Sequence, residues 1–142
     1  MTGTTQRAAK RILIAEDDAS AREVIELLLS QSGYEITAVA DGDALGIALD
    51  TAEREGTPFD LLVSDVRMPG EGAFSVLRRA HRPRTILLTA YPEDWVFFNA
   101  YQLDCLCVIA KPFDASELRR IVALVLSDES VPRAPLRRVA NG

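Results

Sequence analysis

Five short apolar runs alternate along this chain with segments whose apolar residues recur at helical spacing, and that alternation leaves few architectures open. The runs are "RILIA" (11–15), "YEITAVA" (34–40), "FDLLVSD" (59–65), "RTILLTA" (84–90) and "CLCVIA" (105–110). All but the second are continuously apolar until a polar residue closes them, as strands buried on both faces are. Between them, 17–33 places Ala21, Val24, Ile25, Leu28 and Leu29 on one helical face, with Asp18 or Ser20 as cap and Gly33 as stop. Residues 41–56 do the same with Ala44, Leu45, Ala48, Leu49 and Ala52, and 72–81 make a short third helix. Pro92 opens a fourth over 92–102 with acids behind it, and 114–127 begins with the capping-box pair Asp114 and Glu117. The expected fold is one doubly wound α/β domain with a five-stranded parallel sheet over 11–127. A flexible segment (1–10) would precede it and a flexible basic tail (128–142) would follow.

Charge and composition remove several functions. Residues 12–126 hold ten basic and nineteen acidic side chains, a net of −9, so the body of the domain repels nucleic acid. No apolar run approaches membrane-spanning length, and "MTGTTQRAAK" offers no apolar core for secretion, which points to the cytoplasm. Cys105 and Cys107 stand two apart, a strained spacing for a disulfide, without companions at zinc spacing. They read as small core residues on one face of a strand. His81, the only histidine, ends a short arginine-rich helix and is given no chemistry.

In open α/β sheets ligands bind outside the carboxyl ends of the strands, so the residues that close each strand are the informative ones. The first ends in Glu16, Asp17 and Asp18, the third in Asp65, the fourth in Thr89 and Ala90, and the fifth in Lys111. Carboxylates gathered on one rim need a cation, and a hard divalent ion with oxygen ligands, Mg²⁺, suits them. Lys111 is one of only two lysines in a chain that otherwise uses arginine, so a compact point charge is wanted there.

With "ILIAEDD" followed by Arg22, then "LLVSDVRMPG", "ILLTA" and "AKPFD" in that order, the chain resembles the receiver domain of bacterial two-component response regulators. The resemblance covers about residues 11–126 and implies the flavodoxin-like strand order 2-1-3-4-5. It implies that Asp65 accepts a phosphoryl group from a phosphohistidine on a sensor histidine kinase or histidine phosphotransferase. Glu16, Asp17, Asp65 and the backbone carbonyl of Arg67 would hold Mg²⁺. Thr89, small Ala90 and Lys111 would accommodate and bind the phosphoryl oxygens. Such a domain is a signalling module rather than a turnover enzyme, passing a conformational switch to a protein partner in trans. It would touch neither nucleic acid nor membrane directly.

The chain also departs from that pattern. Glu16 replaces the commoner Asp, and Val108 stands where the family usually has Tyr or Phe, a ring that turns inward as the threonine moves. The stretch from Pro69 to Thr89 is about a turn short. Arg67 and Tyr91, two places beyond Asp65 and Thr89, would tune hydrolysis of the acyl phosphate. On the fourth helix, Trp95 and Phe98 are expected in the core. Phe97 and Tyr101 are expected on an interaction surface, where helix 4, strand 5 and helix 5 could form a homodimer. The alternative function is a phosphorylation-independent pseudo-receiver acting as an interaction module. An aspartyl phosphatase ranks last, because Arg67 occupies the place of its second acid.

Overall fold

The computed structural model describes residues 9–127 and 137–139. The strands are β1 (Arg11–Ala15), β2 (Glu35–Val39), β3 (Leu61–Asp65), β4 (Arg84–Thr89), β5 (Cys107–Ala110) and β6 (Arg137–Val139). The helices between them are α1 (Ala19–Ser30), α2 (Gly42–Glu55), α3 (Ala73–Arg79), α4 (Asp94–Gln102) and α5 (Ala115–Ser127). All strand pairs are parallel, in the order β2-β1-β3-β4-β5-β6. The first five follow the expected order 2-1-3-4-5, with β3 buried along its length and β2 half-exposed at the edge.

Strand alternation divides the core into two layers. Leu13, Leu62, Leu87 and Val108 face α2, α3 and α4, where they meet Leu45, Leu49, Phe74, Leu77, Val96 and Ala100. Ile12, Ile14, Val63, Ile86, Leu88 and Ile109 face α1 and α5, against Ile25, Leu29, Leu118 and Val122. Among the described residues, no helix is long and apolar enough to cross a membrane.

Several local expectations change. β5 begins at Cys107, so Cys105 lies in the turn before it. The two thiols are buried in opposite layers rather than on one face, because the strand's alternation starts only after Cys105. α4 begins at Asp94, with Glu93 as its N-cap residue and Pro92 still outside. Its inward stripe is Val96 and Ala100, with Phe97 packed beside them. Trp95, Phe98 and Tyr101 are exposed. The core place expected for Trp95 and Phe98 and the outward place expected for Phe97 are therefore exchanged, whereas Tyr101 does face outward. At α5, Asp114 accepts from the backbone N–H and hydroxyl of Ser116, and Glu117 pairs with Arg120 at 2.6 Å.

β6 pairs in parallel with β5, Cys107 opposite Arg137 and Ile109 opposite Val139. It falls within the segment read from sequence as a tail. Residues 1–8, 128–136 and 140–142 lie outside the described residues, and the reading of both ends as flexible lies there with them.

One close approach fixes the loop that carries Asp65 into α3. A Cβ on Gly42, the first residue of α2, would fall 1.5 Å from the backbone carbonyl oxygen of Glu71. Side-chain rotation cannot relieve a clash with backbone, so Gly42→Ala is expected to cost about 3 kcal/mol in chemical denaturation, the upper end for overpacking. Gly46→Ala, whose Cβ would meet only the guanidinium end of Arg79, is the matched control and should cost far less. Equal costs for the two would discount the contact.

Candidate functional site at the carboxyl ends of the strands

The register brings the strand-closing residues together. Ala15 pairs with Ser64, so the next residues, Glu16 and Asp65, emerge side by side from β1 and β3. Thr89 pairs with Ala110, and the backbone N–H of Lys111 donates to the Thr89 carbonyl at 2.8 Å. Glu16 is fully buried and Asp65 is 4 % exposed, whereas Asp17 is open to solvent. Carboxylate oxygens of Glu16, Asp17 and Asp65 all lie within 4.8 Å of one another.

Lys111 reaches back over this rim. Its Nζ donates to Glu16 Oε1 at 2.7 Å and lies 2.5 Å from Asp65 Oδ1. The second approach is a close ion pair, and Asp65 Oδ1 is the one buried side-chain polar atom without a well-aligned hydrogen bond among the described residues. The backbone N–H of Asp18 donates to Glu16 Oε2 at 3.2 Å, and Arg22 donates to the Glu16 carbonyl at 2.9 Å. Asp18 also caps α1 by accepting from the Ala21 N–H.

Two buried carboxylates in contact do not ionise alike. Burial, aided by Glu16 beside it and opposed by Lys111, pushes the Asp65 carboxyl up to about 8. Burial also acts on Glu16, but Asp65, Lys111 and the Asp18 N–H outweigh it and hold Glu16 below its ordinary value. For Lys111, burial is outweighed by Asp65 and Glu16, so the ammonium is held above its usual range. Without a further cation, burial and the neighbouring acid favour protonation of Asp65 over Glu16.

Beside the acids, Thr89 is buried and its Oγ1 accepts from the Tyr91 N–H at 3.0 Å. Ala90 is exposed, and so is Tyr91. The Arg67 guanidinium lies 5.1 Å from the Tyr91 ring centre, 5.4 Å from that of Trp95, and 3.4 Å from Glu93. The sequence paired Arg67 with Tyr91 but missed Glu93 and Trp95, whose only sequence signal was an acid and a ring at the start of α4. Val108 is 1 % exposed and lies wholly in the layer under α4. His81 precedes β4, at the opposite rim from Asp65.

The response regulator receiver domain family model matches residues 12–123. The transcriptional regulatory protein DltR of Streptococcus agalactiae is 32 % identical over 136 residues, 92 % of this chain and 58 % of that protein. The DNA-binding transcriptional regulator NtrC of Rhizobium meliloti is 32 % identical over 132 residues, 90 % of this chain and 25 % of its own length. The chain thus spans little more than half of the first relative and a quarter of the second. Among solved structures, a response regulator from Chloroflexus aurantiacus described as putative is 28 % identical with a TM-score of 0.70, covering 85 % of this chain and 100 % of that one. Chemotaxis response regulator CheY4 of Vibrio cholerae shares the fold at 22 % identity and a TM-score of 0.68, covering 83 % of this chain and 99 % of its own.

Proposed function

Because the chain belongs to the response regulator receiver domain family, we propose that Asp65 accepts a phosphoryl group from a phosphohistidine, and that the acyl phosphate switches a surface read by a protein partner in trans. The observation that carries this reading is the Asp65 carboxylate, buried at the end of β3 with an ammonium 2.5 Å from one oxygen and oxygens of Glu16 and Asp17 within 4.8 Å. In the transfer, a carboxylate oxygen of Asp65 forms the new O–P bond. The N–P bond to histidine breaks, and the nitrogen leaves with the electron pair.

The all-oxygen set of Glu16, Asp17 and Asp65 fits Mg²⁺, with the Arg67 carbonyl as a fourth ligand. Bound there, Mg²⁺ supplies neutralising charge to the transferring group. Lys111, already between Glu16 and Asp65, is placed to follow the charge onto a phosphoryl oxygen. The Thr89 hydroxyl, which accepts the Tyr91 N–H, would turn its own O–H to another oxygen, and small Ala90 leaves space beside it. An open groove of about 520 Å³, lined by Ala21, Val24, Ala90, Lys111 and Phe113, adjoins the acids and would receive the donor, a sensor histidine kinase or histidine phosphotransferase.

The module is a cytoplasmic signalling domain and not a turnover enzyme. DNA binding, printed for NtrC, is not carried over, since only a quarter of that protein is matched and the body here is acidic. The buried aliphatic Val108 favours one other reading, an interaction module indifferent to phosphate. Intact-mass spectrometry after incubation with acetyl phosphate and Mg²⁺ separates the two. One phosphoryl group is expected, and chelation of Mg²⁺ should suppress the gain. No gain from acetyl phosphate or from a phosphohistidine donor would leave the interaction module.

A further inference from the structure

We propose that Arg67 transmits the state of Asp65 to α4, leaving the rings of Tyr91 and Trp95 for the phosphoryl group once it forms. The inference rests on Asp65 being the acceptor. Arg67 follows Asp65 by two residues, so their Cα atoms are at most about 7 Å apart, within reach of an extended arginine side chain. Its side chain is 59 % exposed, so no packing holds it in place.

What does hold it is weak. A guanidinium over exposed rings and an exposed ion pair to Glu93 at 3.4 Å are both marginal in water. A phosphoryl group brings nearly two negative charges and three acceptor oxygens, and Arg–phosphate pairing with both prongs of the fork is stronger than either present contact. The competition therefore favours departure from the rings.

Both ends of the present contact bear on the same segment. Tyr91 is tied through its backbone N–H to the Thr89 hydroxyl, and Glu93 is the N-cap residue of α4. Movement of the Thr89 hydroxyl towards the phosphoryl group carries Tyr91 with it, just as departure of Arg67 releases Glu93 and Trp95 from the guanidinium. No other relay is visible at the place the resemblance assigns to a ring, because Val108 is aliphatic and buried beneath α4. Arg67 and Trp95 also line one open groove of about 540 Å³ with Phe74, Arg78 and Asn99, so the movement reshapes a surface that a partner can read.

Trp95 is the only tryptophan, so its emission reports the contact directly. The test uses the full chain with acetyl phosphate and Mg²⁺, reading Trp95 emission and Asp65 occupancy by intact mass on the same samples. Emission should change in proportion to occupancy in the wild type. Arg67→Gln should already emit near the phosphorylated value at rest and lose most of the change per phosphoryl gained. Arg67→Lys, which keeps the charge without the planar fork, should retain a reduced change. Glu93→Gln, which loosens the resting contact, should shift resting emission in the same direction, and it stands in if Arg67→Gln fails to fold. An equal change per phosphoryl in Arg67→Gln, or full occupancy without any change in the wild type, would overturn the proposal. Absence of a mass gain in the wild type would instead sink the assignment of Asp65 on which it stands.

Discussion

Asp65→Asn is expected to abolish phosphoryl labelling and, in metal-free protein, to make the fold more stable. The first effect is total, since an amide oxygen does not form the acyl phosphate under these conditions. The second follows from the position of the proton. Burial raises the Asp65 carboxyl from 3.8 in the unfolded chain to about 8 in the folded one. Between those values folding takes up a proton, so the contribution of Asp65 to stability is greatest below about pH 4 and declines as pH rises towards 8. At about 1.4 kcal/mol per pKa unit, the roughly three units between 3.8 and neutral pH cost about 4 kcal/mol, and the amide removes that cost. The shifts of Glu16 and Lys111 act below 4.5 and above 10.5, leaving this window to Asp65. Urea denaturation with chelator at pH 5 and pH 8 checks the claim. The advantage of Asp65→Asn should grow with pH, and a wild type of constant stability across the window would place the proton elsewhere.

The placing of a carboxylate inside the core was half legible in the sequence. A polar residue closing a continuous apolar run is a local signal, and Glu16, Asp65, Thr89 and Lys111 were each found by it. Parallel pairing then forces those four onto one rim, whatever the loops do. The division of labour between Glu16 and Asp65 was not legible, because it depends on which carboxylate receives the Asp18 N–H and the aligned Lys111 bond.

The misreadings share a different cause. α4 starts at Asp94 rather than Pro92, and which of its faces meets the sheet is decided by packing that helical spacing alone does not choose. Phe97 and Phe98 exchanged places because the smaller Val96 and Ala100, not the largest rings, set the inward stripe. Cys105 and Cys107 separated because the strand begins between them. β6 left no trace in hydrophobic pattern, since "RRV" at a sheet edge is held by backbone pairing that any side chain permits. The company of Arg67 was hidden for a third reason: Glu93 and Trp95 are 26 and 28 residues away, brought near only by parallel β3 and β4 ending together.

Lys111→Ala is expected to lower the stability of metal-free protein by about 3 kcal/mol, the low end for removing one partner of a buried ion pair. The low end applies because the Lys111 side chain is 24 % exposed and Asp65 can retain its proton. Among the described residues, no other side-chain cation is paired with Glu16 or Asp65, so the variant leaves two contacting acids with nothing opposite them. Mg²⁺ held by Glu16 and Asp65 would compete with the ammonium for the same oxygens. Removing Lys111 should therefore tighten Mg²⁺ binding, and each tenfold gain in affinity adds about 1.4 kcal/mol at saturation. The expected signature is a wide stability gap between wild type and Lys111→Ala in chelator, which narrows as Mg²⁺ is titrated in. A gap that stays constant would mean that Lys111 and the metal do not share the Glu16–Asp65 oxygens. The acid cluster would then be only a strained corner of the core, held together by one lysine.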